Sequence, residues 1–252
     1  MKVKTTVMII GTSGIDPTMS SLAYLLAHYY EVVRVPRDTN CSQVAQLLDQ
    51  HRSDIILLDD LEICSCIRRY QTSVPIIMVS ADMAERRLVE ALDRGADDYI
   101  VEPFSREEFL ARIRAHLRRA RVQRATSQDH DALEVLESED GYLSMNIAAR
   151  RVLAGNQAVS LTPTEFELLR LLMLHAGKAL THHMLLRTVW GPEYGHEANY
   201  LRIYIRQLRV KIEKDPSHPC YILTEPRVGY RLCTPVLQSA FAREEMCAFS
   251  PR

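Results

Sequence analysis

The sequence has no long hydrophobic run, and its net charge is close to zero. No apolar stretch reaches the roughly 18 to 20 residues that a membrane-spanning helix needs. The first residues also show no signal-peptide pattern. With 31 Lys and Arg against 32 Asp and Glu, the formal net charge is −1. The whole chain therefore has no general attraction to nucleic acid, and any basic surface must be local.

Cysteine is scarce and irregularly placed. Six cysteines occur among 252 residues without a repeating spacing, which fits a reducing cytoplasm better than a disulfide framework. We therefore expect a cytoplasmic protein of two domains that does not enter a membrane. Cys64 and Cys66 are the close pair, but two sulfurs do not complete a tetrahedral zinc site. They are interpreted as ordinary thiols, and no metal is expected.

Short apolar strands alternate with amphipathic helical segments in the first 120 residues. The strand-like runs are residues 3–10, 32–35, 55–58, 76–79 and 99–101. Such nearly continuous apolar strands are typical of a parallel sheet covered by helices on both faces. The functional crevice of such a sheet lies at the carboxyl ends of its strands. The sequence places residues 11–14, 59–60, 80–81 and 102–103 at those ends.

Three stretches of this half resemble the receiver domain of bacterial response regulators: SDIILLDD, VPIIMVSA and RGADDYIVEPFSREEFLARIRAHLRR. The resemblance covers nearly all of residues 1–120 and implies a flavodoxin-like α/β fold with a five-stranded parallel sheet. It implies that Asp59 is the phospho-accepting aspartate. It also implies that Ser80 is the hydroxyl residue that responds to phosphorylation, and that Tyr99 is the aromatic residue whose rotamer changes with it.

The sequence departs from the receiver pattern at three places. Gly11 and Thr12 occupy the acidic pair that holds magnesium in the family, and Glu102 replaces a lysine. Between Asp59 and Leu61, roughly half a dozen residues of the usual loop are missing. The GTSG stretch is interpreted as a tight strand-to-helix turn, with an anion-binding loop as the alternative.

These departures remove cations from a reaction that depends on them. Mg²⁺ needs oxygen ligands, usually one or two carboxylates, and of the usual metal ligands one carboxylate, Asp59, remains, to which Asp60 could add. Glu102 would repel a phosphoryl group that the lysine would attract. We predict no Mg²⁺, no other cofactor and no conventional phosphorylation of Asp59. Ordinary two-component signalling through Asp59, with a sensor kinase as partner, stays open as the alternative.

The resemblance also implies a homodimer. Receivers of this kind pair through the fourth helix, fifth strand and fifth helix, and charged residues fall on or near the pairing positions. A solvated charged face is the alternative, because surface ion pairs contribute only about 0–1 kcal/mol each. The candidate dimer residues are Arg87, Asp97, Asp98, Glu108, Arg112 and Arg119.

The second half has short strands, three helices and a terminal hairpin. LTPTEFELLRLL, LRIYIRQLRVKIEKDP and VGYRL resemble the effector domain of OmpR/PhoB response regulators over about residues 131–234. The resemblance implies an α+β winged helix-turn-helix domain that binds double-stranded promoter DNA. The expected domains are 1–120 receiver-like, 121–130 linker, 131–235 winged helix and 236–252 a tail, either a short helix or disordered.

The third helix of this half is the candidate DNA-reading helix. From Glu197 to Lys214 there are five basic residues against two acidic ones, and an apolar stripe recurs at helical spacing. We predict that Arg202 and Arg206 lie near base edges in the major groove, and Asn199 is a further DNA-binding candidate, since asparagine can read adenine. Four further residues are predicted to contact phosphates or to pack within the domain: Tyr200, Tyr204, Arg209 and Lys211. Arg227 at the wing tip is predicted to contact the minor groove or phosphates.

Together these patterns predict an atypical response regulator, a sequence-specific transcriptional regulator without catalytic activity, whose receiver serves as a dimerisation module or as a sensor of a ligand or partner. It would bind two DNA half-sites as a homodimer. The resemblance adds RNA polymerase as a partner for the loop at residues 191–196, with Trp190 in the core. The alternatives are phosphorylation on Asp59 and an interaction adaptor that does not bind DNA.

Overall fold

The computed structural model describes residues 5–11, 17–36, 38–70, 73–126, 135–192, 194, 198–233 and 236–239. The chain divides into two compact units, Met1–Ala120 and Arg121–Arg252. Within the described segments, no helix combines the length and the apolar composition that crossing a membrane requires.

The first unit is a five-stranded parallel sheet with the order β2-β1-β3-β4-β5. Its strands are β1 (Thr6–Ile10), β2 (Glu31–Val35), β3 (Ile55–Leu58), β4 (Ile76–Ser80) and β5 (Asp98–Val101). Its helices are α1 (Pro17–Ala27), α2 (Cys41–Gln50), α3 (Leu61–Tyr70), α4 (Glu85–Asp93) and α5 (Arg106–Thr126). The predicted α/β fold is confirmed.

The apolar strands form the centre of this unit. All four residues of β3 are fully buried, because a central parallel strand has helices on both faces. On one face, α1 and α5 pack against the sheet through Leu22, Phe109 and Ile113. The packing aligns the strands so that their carboxyl ends meet along one rim of the sheet, where the candidate switch residues lie.

The second unit is a winged-helix domain, as predicted. A leading antiparallel sheet has the order β13-β6-β7-β8-β9, and a smaller sheet has the order β10-β12-β11. The strands are β6 (Val135–Ser138), β7 (Leu143–Asn146), β8 (Arg151–Ala154), β9 (Gln157–Val159), β10 (Leu180–Thr181), β11 (Ile222–Glu225), β12 (Gly229–Leu232) and β13 (Val236–Ser239). The helices are α6 (Pro163–Leu174), α7 (His182–Val189) and α8 (Ala198–Ile212).

Two segments differ in secondary structure from the sequence expectation. Helix α5 continues to Thr126, into the expected linker, because its last residues include good helix formers such as Ala and Arg. The expected tail begins with strand β13, which pairs antiparallel with β6. A strand there satisfies the backbone groups at the edge of β6. Residues 240–252 lie outside the described part of the chain.

The cysteines also pair differently from the expectation. Cys41 and Cys66 form a disulfide with their Cα atoms 5.8 Å apart, so the interpretation of Cys66 as an ordinary thiol is wrong. Helices α2 and α3 lie side by side, and their packing brings together two residues that are far apart in sequence. Cys64 is a buried free thiol.

Candidate functional site

Gly11 lies close to Asp59 at the rim of the parallel sheet. Gly11 follows β1 with a φ of 112°, and its N–H donates to the Val35 carbonyl at 3.1 Å. A Cβ at position 11 would lie 2.8 Å from Asp59 Oδ1, and that oxygen is buried. Residue 11 therefore lies beside a buried oxygen of the candidate phospho-acceptor, with no room for a side chain between them. Thr12 lies outside the described residues.

Asp60 caps helix α3. Its Oδ1 accepts hydrogen bonds from the N–H groups of Glu62 at 2.7 Å and Ile63 at 3.0 Å. The shortened loop starts α3 immediately after Asp60, which explains this role. Among the described residues, no group of three or more His, Cys, Asp or Glu side chains is arranged to hold a metal ion.

Glu102 links the end of β5 to α1. Its Oε2 accepts a hydrogen bond from Thr18 Oγ1 at 3.0 Å. The position where the receiver family has a lysine is thus occupied by a carboxylate that is engaged with a hydroxyl. It adds negative charge to a rim that already contains Asp59 and Asp60.

The two candidate switch residues hold the same loop after β4. Ser80 Oγ accepts a hydrogen bond from the Asp82 N–H at 3.1 Å. The Tyr99 ring is buried, and its hydroxyl donates to the Asp82 carbonyl at 2.8 Å. Burial raises the pKa of Tyr99, so the hydroxyl keeps the proton it donates.

Two of the candidate dimer residues are buried inside the first unit. Asp97 forms an ion pair with Arg68 and accepts from the Ile76 N–H at 2.9 Å. Asp98 accepts from Arg112 at 3.4 Å, and its Oδ2 lies 3.3 Å from His116 Nε2. Sequence reasoning missed Arg68 and His116, because their partners are distant in sequence.

The other candidate dimer residues also have partners within the unit, but two are substantially exposed. Arg112 bonds Glu108 at 2.9 Å, and Arg119 lies 2.7 Å from His116 Nδ1. Burial lowers the pKa of His116. The Arg87 side chain, 3.5 Å from Glu90, is 35% exposed, and that of Glu108 is 44% exposed. These two have opposite charges and lie on α4 and α5.

Helix α8 has one exposed stripe and one buried stripe. The buried stripe contains Leu201, Ile205, Leu208 and Ile212. The exposed stripe contains Asn199, Arg202, Arg206 and Val210, which are spaced by three or four residues and so share a face. Val210 is 62% exposed. Sequence reasoning missed it, because a valine in an amphipathic helix is normally assigned to the core.

Tyr200 and Tyr204 are part of the core of the second unit. They are 6% and 1% exposed, and the Tyr204 ring packs edge-on against Trp190 with centroids 5.0 Å apart. Of the two predicted roles, burial supports packing over phosphate contact. Trp190 is fully buried, as predicted. The loop at 191–196 lies partly outside the described residues.

Arg209 and Lys211 hold α8 against the rest of the unit. Arg209 donates from Nε and Nη2 to the Ile222 carbonyl at 3.0 and 2.6 Å, and from Nη2 to Thr224 Oγ1 at 2.9 Å. Lys211 Nζ donates to both carboxylate oxygens of Glu165 at 2.8 and 2.6 Å. Packing within the domain is therefore supported for both residues.

The wing is positioned by a carboxylate that sequence reasoning missed. Glu213 follows α8 and accepts from the N–H groups of Cys220 at 2.9 Å, Tyr221 at 3.0 Å and Ile222 at 2.8 Å. These bonds fix the start of β11. At the wing tip, Arg227 is exposed with a φ of 64°.

Comparison with known proteins agrees with this architecture. The family described as "Response regulator receiver domain" matches residues 16–114, and "Transcriptional regulatory protein, C terminal" matches residues 156–232. The transcriptional regulatory protein KdpE of Mycobacterium tuberculosis is 39% identical over 189 residues, covering 72% of this chain and 80% of that protein. The KdpE of Escherichia coli is 38% identical over 187 residues, covering 71% and 79%.

A solved structure has a similar fold. A structure of a RitR mutant aligns with a TM-score of 0.66 at 24% identity, covering 90% of this chain and 98% of that one. A receiver unit followed by a winged-helix unit defines a DNA-binding response regulator. The chain belongs to the OmpR/PhoB type of this class, and it is a transcriptional regulator rather than an enzyme.

Proposed function

We propose that this protein is a cytoplasmic, sequence-specific regulator that binds promoter DNA as a homodimer without conventional phosphorylation of Asp59. The observation behind this proposal is the exposed stripe of α8. It presents two guanidinium groups, Arg202 and Arg206, and the amide of Asn199 on one face. A helix fits the major groove, where arginine recognises guanine and asparagine recognises adenine.

The contacts at the sheet rim support independence from phosphorylation. Oδ1 of Asp59 is buried beside Gly11, Oδ1 of Asp60 caps α3, and Glu102 is an anion bonded to Thr18. Phosphoryl transfer to a carboxylate needs cations around the phosphoryl oxygens. The rim offers carboxylates where this reaction needs positive charge.

The dimer is proposed to form through α4, β5 and α5. Asp97 and Asp98 have their partners within the unit. The proposal therefore assigns the contact between copies to the exposed charges, Arg87 on α4 and Glu108 on α5. Two copies would place two α8 helices on half-sites about one helical turn apart. RNA polymerase is a further proposed partner, and a sensor kinase would be a partner under the alternative of ordinary two-component signalling.

The decisive experiment measures DNA binding against salt. Duplexes would be enriched from a randomised pool, and affinity would be titrated for wild type, Arg206→Ala and Arg151→Ala. Arg151 is an exposed arginine on β8 and serves as the matched control. We expect Arg206→Ala to lose about 5- to 150-fold in affinity for the enriched duplexes and to relax the sequence preference, while Arg151→Ala should bind as wild type does.

The same titration tests independence from phosphorylation. Wild type and Asp59→Ala should bind equally, with or without acetyl phosphate and Mg²⁺, and intact mass should show no added phosphoryl group. A phosphoryl group present on wild type and absent from Asp59→Ala would support ordinary two-component signalling. Equal, weak binding of every duplex by all variants would support the adaptor alternative.

A further inference from the structure

The disulfide between Cys41 and Cys66 joins two helices of the first unit. Cys41 is the first residue of α2, and Cys66 lies in α3, 25 residues further along the chain. Their Cα separation of 5.8 Å is typical of a disulfide that needs no backbone movement. The proposed function places this protein in the cytoplasm, where disulfides are usually transient, catalytic or redox-sensing. A redox role for this pair therefore follows from the proposed function.

The two thiols differ in accessibility and in electrostatic setting. Cys41 is partly exposed and follows the helix cap Asn40, whose Oδ1 accepts from the Gln43 N–H at 3.0 Å. The amide groups at a helix N-terminus stabilise a thiolate, which is the reactive form. Cys66 is 9% exposed. One accessible nucleophile beside a shielded second thiol is the arrangement of a reactive and a resolving cysteine.

Cys64 lies on the same helix as Cys66 but has an unreactive thiol. It is fully buried, and burial raises the pKa of its thiol to about 12. Its Sγ donates to the Arg94 carbonyl at 3.6 Å. A thiol in this setting stays protonated and inert, so the reactive chemistry belongs to Cys41 and Cys66.

We propose that Cys41 and Cys66 are a reversible thiol–disulfide pair oxidised by a hydroperoxide. The Cys41 thiolate attacks the peroxide, the O–O bond breaks, and the products are a sulfenic acid on Cys41 and, after protonation, water or an alcohol. The Cys66 sulfur then attacks the Cys41 sulfur, the S–O bond breaks, and the hydroxyl leaves as water with the Cys66 proton. The peroxide gains two electrons, and each sulfur loses one. A cellular dithiol reverses the reaction.

Oxidation acts on the helix that borders the candidate phosphorylation site. Helix α3 begins at the Asp60 cap, beside Asp59. It also bonds to the region after α4 through Glu62 and Arg94, whose charged groups are 2.6 Å apart, and to the start of β5 through Arg68 and Asp97. A covalent tie to α2 restricts local opening of α3. The redox state would thus be transmitted to the rim and to the proposed dimer face.

Peroxide treatment followed by peptide mapping tests the chemistry. The full chain would have Cys220, Cys233 and Cys247 replaced by serine, be reduced, be exposed to hydrogen peroxide and then be alkylated. We expect one linked peptide pair, Cys41 with Cys66, that disappears on treatment with dithiothreitol. Cys64→Ser should leave this result unchanged, and Cys41→Ser should abolish it. A link through Cys64, or no link at all, would overturn the proposal.

Hydrogen exchange tests the structural consequence without any DNA present. Amide exchange in α3 should slow by about tenfold or more in the oxidised protein. A Cys41→Ser/Cys66→Ser variant should show no dependence on peroxide, which also controls for unrelated oxidation. Equal exchange in the oxidised and reduced forms would refute transmission through α3. Since no measurement here uses DNA, failure of this proposal is distinguishable from failure of DNA binding.

Discussion

At two positions with positive φ, the residue type differs from the one that the related families usually have. Gly11, with a φ of 112°, occupies a position where the receiver family has an acidic residue, and it allows the backbone to approach Asp59. Arg227, with a φ of 64°, occupies a wing position where the effector family usually has glycine. A side chain at positive φ costs roughly 1 kcal/mol or more. At the wing that cost accompanies a cation suited to the minor groove.

Replacing Gly11 tests whether an acidic residue at this position would create a metal site at the rim. Because a Cβ would lie 2.8 Å from Asp59 Oδ1, we expect Gly11→Asp to lower the unfolding free energy by about 1–3 kcal/mol without creating Mg²⁺ affinity. Urea denaturation and calorimetric Mg²⁺ titration measure the two effects.

A matched control isolates the contact with Asp59 from the cost of the backbone angle. Gly177 has a φ of 80° and no atom within 4 Å of a Cβ, so Gly177→Ala measures the angle alone. Gly11→Ala should cost more, and adding Asp59→Ala should remove the excess. Tight Mg²⁺ binding by Gly11→Asp would show that one carboxylate suffices to rebuild the site.

At the scale of the element, the sequence predicts which face of helix α8 is buried, but it does not predict which of its charged side chains are bonded within the domain. Hydrophobic periodicity is a local property, and the predicted buried stripe is present in the structure. The partners of Arg209 and Lys211 are 13 and 46 residues away in sequence. No periodic pattern identifies such contacts, because they depend on how the helices and the hairpin pack. The charge count therefore overstated the basic surface available to DNA.

Removing the charge of Lys211 should lower the stability of the fold, whereas removing the charge of Arg206 should weaken DNA binding. Lys211→Met leaves the Glu165 carboxylate, which is 2% exposed, without its ammonium partner. We expect a loss of about 1–3 kcal/mol in unfolding free energy with the salt slope of DNA binding unchanged. Arg206→Met should leave stability within about 0.5 kcal/mol and should weaken binding. Thermal denaturation and salt titration separate the two, and a reduced slope for Lys211→Met would instead place that residue on a phosphate.

At the scale of the whole molecule, the order of the elements was predictable and the cross-links between them were not. Alternating apolar strands and helices predict the parallel sheet, and the capping and turn residues predict the winged helix. The Cys41–Cys66 pair and the buried Arg68–Asp97 pair each join elements that are distant in sequence. Long-range pairings depend on three-dimensional packing, and a single sequence does not specify them by local pattern.

In the proposed dimer, the arrangement of the receiver units would decide whether two α8 helices act together. If Arg87 of one copy faces Glu108 of the other, charge reversal of either should weaken self-association, and the double swap Arg87→Glu/Glu108→Arg should restore it. We expect each single reversal to cost about 0.5–2 kcal/mol of dimer free energy, given the exposure of both groups.

Sedimentation equilibrium measures the dimer constant, and binding to duplexes with one or two half-sites measures its effect on DNA affinity. Two-site duplexes should lose affinity in each single variant and regain it in the swap, whereas one-site duplexes should not respond. If the swap binds two-site duplexes no better than the single variants, the copies associate through another surface, because a direct pair would tolerate exchange of its charges.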